Sequence, residues 1–406
     1  MSEKGSRQKV VVVGGGYAGA LAAVRLAGRA RGRAEVTLVE PRAELVERLR
    51  LHQLATGQKV RGHDLARLTG RRVGNLRARA VAVDPERGAL AVEVDGKFSE
   101  VPFDQVIIAV GSTVDRSVPG AAEHAHSLAD PAAAIRLREA LGELPESARV
   151  AVCGGGFTGI EAASEVAAAR PDLRVSLVSA GHVGGRLSRR GATQLASRLG
   201  RLGVELVEGE KVAAVEPGTV MFQDGSGIPA DLTVWCGGFG AQPLMADSGL
   251  PVDSRGLLAV DSTLRSVGHD NVVGAGDAAA IPDFPNGARY RMTCQAGMPS
   301  GAHAADTALA LLRGEEPRPF DFGYIHQPLS LGRRDGLIQW VDRADRPKEK
   351  VLVGRRAAIY KELVTRGAVP SIGWERRLPG LLRWPSAGRE VTSPAPVTGS
   401  MGSVDR

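Results

Sequence analysis

Two clusters of glycines have the spacing that brings a polypeptide backbone close to a phosphate group. One cluster follows the apolar run 10–13, and the other follows the apolar run 150–153. In the pattern G-x-G-x-x-G the first glycine allows a tight turn, the second leaves room for a pyrophosphate, and the third lets a helix approach the sheet. We therefore expect two nucleotides in one chain, with electrons passing between them. The glycines concerned are Gly14, Gly16 and Gly19 in the first cluster and Gly154, Gly156 and Gly159 in the second.

The segments around both clusters predict the elements that position them. Each apolar run is typical of a buried parallel strand, and helix-forming sequence follows at 18–26 and at 158–166. The start of a helix offers free N–H groups and the positive end of the helix dipole to a phosphate. A second strand is expected after each helix, at 36–39 and at 175–178. This order of strand, turn, helix and strand distinguishes both clusters from a glycine-rich surface turn.

The residue that ends the second strand differs between the two copies. In the first copy it is Glu40, whose carboxylate is expected to accept hydrogen bonds from a ribose diol. In the second copy it is Ser179, which does not repel a 2′-phosphate. Two interpretations of the arginines that follow, Arg186, Arg189 and Arg190, stay open: they contact the 2′-phosphate of NADPH, or they form a solvated face. The first interpretation predicts that NADPH is accepted at least as well as NADH.

Composition and charge restrict the class of protein. The chain has 406 residues, 43% of them hydrophobic, and 52 glycines, which favours a globular α/β protein of two or three domains. Its net charge of +7 suits anionic cofactors or a weak attraction to anionic surfaces, and no segment resembles a nucleic-acid-binding module. The three cysteines lie far apart, so we expect no disulfide framework, no metal site and a reducing cytoplasmic environment. We expect no signal peptide, because segment 1–9 is short and polar, and no membrane-spanning segment, because no apolar run reaches ~20 residues.

The internal similarity extends beyond the glycines. Segments 103–111 and 230–238 share an acid, a buried strand and a glycine-bearing turn, and hairpins are predicted before them at 80–96 and 212–225. A further strand with a glycine turn and an acid follows at 272–279. The second copy is therefore expected to be inserted in the first.

The fold class that follows is α/β, with two Rossmann-like domains, the second inserted in the first, and a smaller C-terminal α+β region. A helix is predicted at 295–313, and further strands and a helix at 320–365. The last segment is rich in Ser, Pro and Gly without apolar periodicity, which predicts disorder. The predicted boundaries are 1–115 with 261–325 for the first domain, 116–260 for the second, 326–385 for the C-terminal region and 386–406 for the tail.

These motifs, in this order, resemble the two-dinucleotide-binding flavoprotein superfamily. Within it the chain is similar to the type II NADH:quinone oxidoreductases and to the quinone reductases of the apoptosis-inducing-factor type, over residues 8–365. The resemblance implies FAD in the first domain and NAD(P)H, as electron donor, in the second. It also implies hydride transfer from NAD(P)H to the flavin, followed by electron transfer to a quinone or a similar small acceptor.

The resemblance assigns binding residues position by position. Asp277 is expected to hydrogen-bond the ribityl hydroxyls of FAD, and a helix cap is the alternative. The positions that match FAD-binding residues are Gly14, Gly16, Tyr17, Ala18, Gly19, Glu40, Arg50, Val81, Ala109, Val110, Gly111, Gly276, Asp277, Gln295 and Ala296. The positions that match NAD(P)H-binding residues are Gly154, Gly156, Phe157, Thr158, Gly159, Ser179, Arg186 and Gly238.

Two residues receive a catalytic assignment from the resemblance. Glu165 matches a glutamate near the nicotinamide and the flavin, where a buried carboxylate orients the carboxamide or serves a proton path; a solvated helix acid is the alternative. Gln295 matches a glutamine at the start of a helix over the flavin, where neighbouring amides face the N1/O2 edge. Pro299 replaces the second glutamine of that motif, which departs from a standard quinone pocket. His52 either contacts substrate or flavin, or is structural.

Other functions stay open at this point. Segment 44–50 has no cysteine where the disulfide reductases have a redox pair, which argues against disulfide chemistry. A reductase of a ferredoxin-like carrier, a tailoring oxidoreductase of secondary metabolism and a nucleotide-binding redox sensor remain alternatives. Segment 374–384 has the aromatic, apolar and basic residues of a membrane interface, or of a packing or dimer contact. The expected location is the cytoplasm, with peripheral contact at the inner face of the membrane as an alternative, and the sequence does not determine the oligomeric state.

Overall fold

Two five-stranded parallel sheets form the centres of the molecule. The computed structural model describes residues 7–283 and 288–388, so most of the tail predicted at 386–406 lies outside the described residues. The first sheet has the spatial order Val272–Gly274, Gln105–Ile108, Gln8–Val13, Ala34–Val39 and Val73–Leu76. The second has the order Ala125–Ser127, Leu232–Trp235, Arg149–Cys153, Arg174–Ser179 and Glu205–Glu208.

The strand that precedes each glycine cluster is central and buried on both faces. Val10, Val11, Val12 and Val13 are at most 2% exposed, as expected for a parallel strand covered by helices on either side. The helix Tyr17–Arg29 follows the first of these strands and the helix Phe157–Ala169 follows the second. The predicted order of strand, turn, helix and strand is therefore present twice.

Antiparallel hairpins lie beside each parallel sheet, where the sequence predicts them. A tight turn at Asp95 and Gly96, both with positive φ, closes one of the hairpins. The first three-stranded sheet consists of Arg79–Asp84, Ala89–Val94 and Lys97–Pro102. The second consists of Val212–Glu216, Thr219–Phe222 and Gly227–Pro229.

A two-stranded antiparallel ribbon connects the two nucleotide-binding halves. Its strands are Ser112–Val114, on the way into the second half, and Phe239–Ala241, on the way back. The returning chain pairs Leu258–Ala259 with Ala279–Ala280 and completes the first sheet with its edge strand. The second half is therefore inserted in the first, and two paired strands connect the halves.

The C-terminal region is a three-stranded antiparallel sheet followed by a 23-residue helix. The strands are His326–Ser330, Gly336–Val341 and Pro347–Val353, and we refer to the helix Arg355–Arg377 as the C-terminal helix. The remaining helices are Cys294–Leu311, Leu51–Ala55, Leu65–Thr69, Ala121–His124, Pro131–Glu143, Arg189–Arg201 and Leu244–Asp247, and the short 3₁₀ turns are Arg48–Arg50 and Gly276–Ala278. Two-residue strand pairs are Glu44–Leu45 with His63–Asp64 and Pro282–Asp283 with Ala288–Arg289.

Buried polar contacts fix the C-terminal region to both halves. Glu375, which is fully buried, accepts hydrogen bonds from Arg25 Nη1 of the first half at 3.0 Å and from the N–H of Leu382 at 2.9 Å. Ser188 of the second half donates its hydroxyl to Gln339 Oε1 at 2.9 Å.

Segment 374–384 is the end of the C-terminal helix and the turn after it. Within residues 7–283 and 288–388, no helix has both the length and the apolarity to cross a membrane.

Candidate active site

We define the first cradle as Gly14–Gly16 with the start of the helix Tyr17–Arg29. It is closely packed at its outer glycines and open at its central one. Gly14 has φ +105°, and a Cβ atom there would overlap the carbonyl oxygen of Ala109. A Cβ atom on Gly19 would overlap the carbonyl oxygen of Gly14. Gly16, in contrast, has no described atom within 4 Å of the place where its Cβ would lie. The two outer glycines are therefore needed for packing, and the central one leaves space for a ligand.

The start of the helix Tyr17–Arg29 suits an anion. The first turn has no acidic side chain, and no side chain caps it in the described part of the chain. Its backbone N–H groups are therefore available to a phosphate, next to the space left by Gly16.

Glu40 connects the first cradle to the strand beside it. The side chain is 6% exposed, and its Oε2 accepts the N–H of Gly15 at 2.8 Å. Its Oε1 accepts Arg42 Nε, also at 2.8 Å. The carboxylate thus holds the glycine loop in place and keeps further lone pairs for a ribose diol. Open space, free amides and this carboxylate together fit the adenosine and pyrophosphate of FAD.

Asp277 lies beside Arg48 and Ser112. The sequence did not indicate that these two residues belong to the same site as Asp277. Ser112 Oγ donates to Asp277 Oδ2 at 3.0 Å, and Arg48 Nη1 donates to the carbonyl oxygen of Ser112 at 2.6 Å. Burial raises the pKa of Asp277, and the Arg48 guanidinium and the Ser112 hydroxyl oppose this shift. Burial also lowers the pKa of Arg48. The carboxylate caps no helix in the described structure, because the 3₁₀ turn that contains it has no side-chain cap.

Two predicted FAD contacts have buried polar atoms that no described protein group satisfies. They are the hydroxyl of Tyr17 and the Oε1 of Gln295. Burial and the nearby Glu47 carboxylate raise the pKa of the Tyr17 phenol well above its usual value, so it is protonated and able to donate. Unpaired buried polar atoms are costly, which fits a bound group that supplies the missing partners.

Of the remaining predicted FAD contacts, Ala109 and Val110 lie against Gly14 of the first cradle. Ala109, Val110 and Gly111 follow the strand Gln105–Ile108, which pairs with the central strand, and Val81 is the extra residue of a β-bulge in the strand Arg79–Asp84. Arg50 donates to protein groups instead: Glu47 Oε2, Gln53 Oε1 and both carboxylate oxygens of Glu362, each at 3.1 Å. The cofactor contact predicted for Arg50 therefore competes with an ion-pair cluster that the sequence did not indicate. Ala18 is in the first turn of the helix Tyr17–Arg29, Gly276 lies beside it, and Ala296 is in the helix Cys294–Leu311.

The second cradle, Gly154–Gly156 with the start of the helix Phe157–Ala169, repeats the design of the first. Gly154 has φ +129°, and a Cβ atom on it would lie 2.6 Å from the carbonyl oxygen of Cys236. A Cβ atom on Gly159 would overlap the carbonyl oxygen of Gly154, whereas Gly156 has open space. Phe157 and Thr158 are half-buried at the helix start. The geometry fits a second nucleotide pyrophosphate.

An acid that the sequence pattern does not reveal lies beside Ser179. Ser179 and Glu208 are partners in neighbouring strands. Glu208 Oε1 accepts the N–H of Val183 at 2.7 Å, and its Oε2 lies 3.5 Å from His182 Nδ1. The loop after Ser179 is therefore held by a carboxylate from the next strand. The predicted contacts Arg186 and Gly238 are both exposed.

Glu165 is buried and hydrogen-bonded, which excludes a solvated helix acid. It is 1% exposed, and its Oε2 accepts Gln58 Nε2 at 2.7 Å. Its Oε1 lies 3.5 Å from Ser330 Oγ. Burial raises the pKa of Glu165, and the hydrogen bond from Gln58 opposes that shift. Glu165 therefore holds a proton more readily than a solvated carboxyl does.

One helical turn before Glu165, Glu161 forms a half-buried ion pair with Lys361. Glu161 Oε1 also accepts the N–H of Ser330 at 2.8 Å. Burial, reinforced by the Arg50 charge, lowers the pKa of Lys361 to about 7, and Glu362 opposes this shift. His52 Nδ1 lies 3.9 Å from Glu161 Oε2, and burial together with Lys361 and Arg50 lowers the pKa of His52 to about 3. His52 is therefore neutral near pH 7, and Lys361 releases its proton more readily than a solvated lysine does.

The Lys361 side of this ion pair borders a cavity of about 590 Å³, which we call the cationic cavity. Gln53, Ser330 and Lys361 line it, as do the exposed arginines Arg333, Arg334, Arg355 and Arg366. Sequence reasoning missed the cavity because its walls come from segments far apart in the chain. Pro299, which sequence reasoning linked to the acceptor pocket, is buried in the helix Cys294–Leu311 and does not line the cavity.

Known proteins resemble the chain over most of its length. The family described as pyridine nucleotide-disulphide oxidoreductase matches residues 8–306. An NADH dehydrogenase-like protein of Mycobacterium tuberculosis is 30% identical over 394 residues, which cover 91% of this chain and 89% of that protein. A type II NADH:quinone oxidoreductase of Staphylococcus aureus is 26% identical, with 90% and 96% covered. The solved structure of NDH2 from Plasmodium falciparum in complex with NADH has a TM-score of 0.73 at 16% identity and covers 92% of this chain and 99% of that one.

Proposed function

The chain belongs to the pyridine nucleotide-disulphide oxidoreductase family, and we propose that it is a quinone reductase within that family. It is an FAD-dependent oxidoreductase that uses NAD(P)H. FAD, when bound, would supply a hydride acceptor for the reduced nicotinamide and a source of electrons for a second substrate. The observation that carries the proposal is that Lys361, paired with Glu161, lines a ligand-sized cavity together with Ser330, which lies 3.5 Å from the buried Glu165.

The two cradles divide the nucleotides between them. Gly16, Glu40 and the free amides of the helix Tyr17–Arg29 would hold the adenosine and pyrophosphate of FAD, and Asp277 would hold the ribityl chain. Gly156 and the start of the helix Phe157–Ala169 would hold the pyrophosphate of the donor. The relative from Staphylococcus aureus is named an NADH:quinone oxidoreductase and is covered over 96% of its length, which supports the same division here.

We propose NADH as the preferred donor, although Ser179 alone suggested that NADPH is accepted at least as well. Glu208 is the sheet partner of Ser179, and its carboxylate lies within hydrogen-bond distance of Val183 on the loop that follows. A negative charge there repels a 2′-phosphate. Arg186, which is exposed, would attract a 2′-phosphate and so favours NADPH. The charge of Glu208 supports NADH because the loop backbone fixes its position.

Quinone reduction consumes two electrons and two protons, and the protein must manage the protons. Hydride from NADH brings both electrons and the equivalent of one proton, and water supplies the other. Lys361 holds that proton near pH 7 and borders the cavity, so we assign it as the proton donor to the acceptor oxygen. Glu161 orients Lys361, and Ser330 offers a hydroxyl to the same acceptor. Glu165, held by Gln58, is the second proton-holding group.

A peripheral membrane contact at the end of the C-terminal helix is a further part of the proposal. Trp374, Leu378 and Leu381 are each at least half exposed, beside Arg376 and Arg377. Aromatic, apolar and basic side chains together suit a membrane interface. Sedimentation with anionic phosphatidylglycerol vesicles tests the contact. We expect Trp374→Ser to reduce sedimentation, and equal sedimentation of both proteins would contradict the contact.

An acceptor comparison tests the proposed function. We expect NADH-dependent reduction of menadione or a short-chain ubiquinone at rates well above those of a ferredoxin or oxygen. Efficient ferredoxin reduction with poor quinone turnover would replace the proposal with a carrier-protein reductase. Stable reduced flavin that reacts with none of these acceptors would instead favour a redox sensor.

A further inference from the structure

The cationic cavity has an excess of positive charge that the reduction of a neutral quinone does not require. Its lining includes five cationic side chains, namely those of Arg333, Arg334, Arg355, Lys361 and Arg366. The acid among the lining residues is Glu362. Like charges around one cavity repel one another, so the arrangement is unfavourable unless an anion or solvent compensates it.

Carboxylates compensate only part of this excess, because Glu161 pairs with Lys361 and the carboxylate of Glu362 is shared among several arginines. Arg50 donates to both of its oxygens at 3.1 Å, and Arg366 Nε donates to Oε1 at 2.6 Å. Arg333 Nη1 lies 3.9 Å from Oε2. Within residues 7–283 and 288–388, Arg334 and Arg355 have no carboxylate within ion-pair distance. The lining of the cavity therefore has two guanidinium groups without a carboxylate partner.

The backbone of the C-terminal helix adds to the positive electrostatic potential of the cationic cavity. The C-terminal helix begins at Arg355, its first turn has no acidic residue, and Gly354 provides no side-chain cap. The positive end of a 23-residue helix therefore faces the same region as the arginines. Ala358, Ile359 and Leu363 also line the cavity, so an apolar surface lies next to the charges. A flat aromatic ring with an acidic substituent matches both properties.

We propose that the acceptor reduced in the cationic cavity is an anionic quinone, one with a carboxylate or sulfonate-like group, and that Arg334 and Arg355 bind that group. The inference rests on the proposed quinone reductase function and specifies its substrate class. The redox step is unchanged: two electrons and two protons convert the quinone to the hydroquinone, NADH is oxidised to NAD⁺, and the acidic group takes no part. Arg334 and Arg355 act on acceptor binding, whereas Lys361 acts on the proton.

The test compares two acceptors in two double variants. The acceptors are 1,4-naphthoquinone, which is neutral, and its 2-sulfonate, which is anionic. The variants are Arg334→Gln with Arg355→Gln and, as a control with the same change in net charge, Arg313→Gln with Arg356→Gln. The control arginines are exposed and do not line the cavity. The quantity compared is the ratio of kcat/KM for the sulfonate to that for the neutral quinone, which cancels differences in reactivity between the two compounds.

We expect the cavity variant to lower that ratio by about tenfold relative to the wild type, because each arginine contributes to attraction of the anion. The control variant is expected to leave it within about twofold. Raising ionic strength should lower kcat/KM for the sulfonate in the wild type and have little effect in the cavity variant. An unchanged ratio in the cavity variant would overturn the proposal.

Two further results separate this inference from the proposed function and from a lipid ligand. If NADH bleaches the flavin but neither naphthoquinone is reduced, the quinone reductase function fails and the acceptor proposal fails with it. If the neutral quinone is reduced and the cavity variant leaves the ratio unchanged, only the acceptor class is overturned. If that variant instead loses sedimentation with phosphatidylglycerol vesicles, the arginines bind a lipid surface rather than the acceptor.

Discussion

The two cradles share one backbone design and differ in how their surroundings bury them. In both, the outer glycines pack against backbone and the central glycine leaves open space. Gly14, Gly15 and Tyr17 are buried in the first cradle, whereas Gly154, Gly155 and Phe157 are half-buried in the second. Unpaired buried polar atoms occur at predicted contacts of the first cradle. A buried site suits a cofactor that stays, and a more open site suits a nucleotide that exchanges.

The acid beside each cradle also differs in origin. Glu40 ends the second strand of the first half and bonds the glycine loop directly through the N–H of Gly15. The second half has Ser179 at that place, and Glu208 comes from the neighbouring strand. The glycine turn therefore leaves the same open space in both halves, while the acid beside it differs. A repeated fold can thus hold two nucleotides with different roles.

The largest expected effect comes from filling the open centre of each cradle. Gly16→Val introduces a side chain where the FAD pyrophosphate would lie, so we expect a folded protein that purifies without yellow colour. Gly156→Val is the matched change in the second cradle and should retain the flavin while raising KM for NADH by at least ~100-fold. Absorbance spectra and steady-state kinetics measure both effects. A yellow Gly16→Val protein, or a Gly156→Val protein with normal KM, would contradict the division of nucleotides.

The second prediction separates the cradles from the acceptor region. Lys361→Met removes the proposed proton donor, so we expect quinone turnover to fall by about 100-fold while reduction of the flavin by NADH is unchanged. Because the pKa of Lys361 is lowered to about 7, the lysine is protonated below that pH and loses its proton above it. Wild-type quinone turnover should therefore decline as pH rises through 7.

In Lys361→Met this decline should be absent. Lys348→Met, at an exposed lysine outside the cavity, serves as the control and should behave as the wild type does. Equal losses of flavin reduction and of quinone turnover in Lys361→Met would instead indicate that Lys361 supports the whole active site.

The smallest effect concerns the donor nucleotide. Glu208→Gln removes the charge beside Ser179, so we expect kcat/KM for NADPH relative to NADH to rise by about tenfold. Glu205→Gln, on the same strand and further from the cradle, should leave the ratio near its wild-type value. A wild-type preference for NADPH, or an unchanged ratio in Glu208→Gln, would contradict this role of Glu208. Ser179 and Arg186 would then determine the choice of nucleotide.

Local motifs account for the part of the molecule that the sequence predicts. The glycine spacing predicts both cradles, the D-G turn at 95–96 predicts a hairpin, and an otherwise apolar helix face around Glu165 suggests burial. Arg48, Glu208 and Lys361 were not predicted, because each reaches its partner through tertiary contacts. Lys361 is 200 residues from Glu161, and Glu208 approaches Ser179 only through sheet pairing. No periodicity or spacing in the chain encodes such pairs.

The central claim is that the first cradle holds a flavin and that a nucleotide in the second cradle reduces it. The most direct test is an anaerobic titration of the purified protein with NADH. We expect a yellow protein whose flavin absorbance disappears on addition of one equivalent of NADH and returns when a quinone is added. A protein that binds no flavin after reconstitution with FAD, or a bound flavin that NADH does not bleach, would contradict the claim.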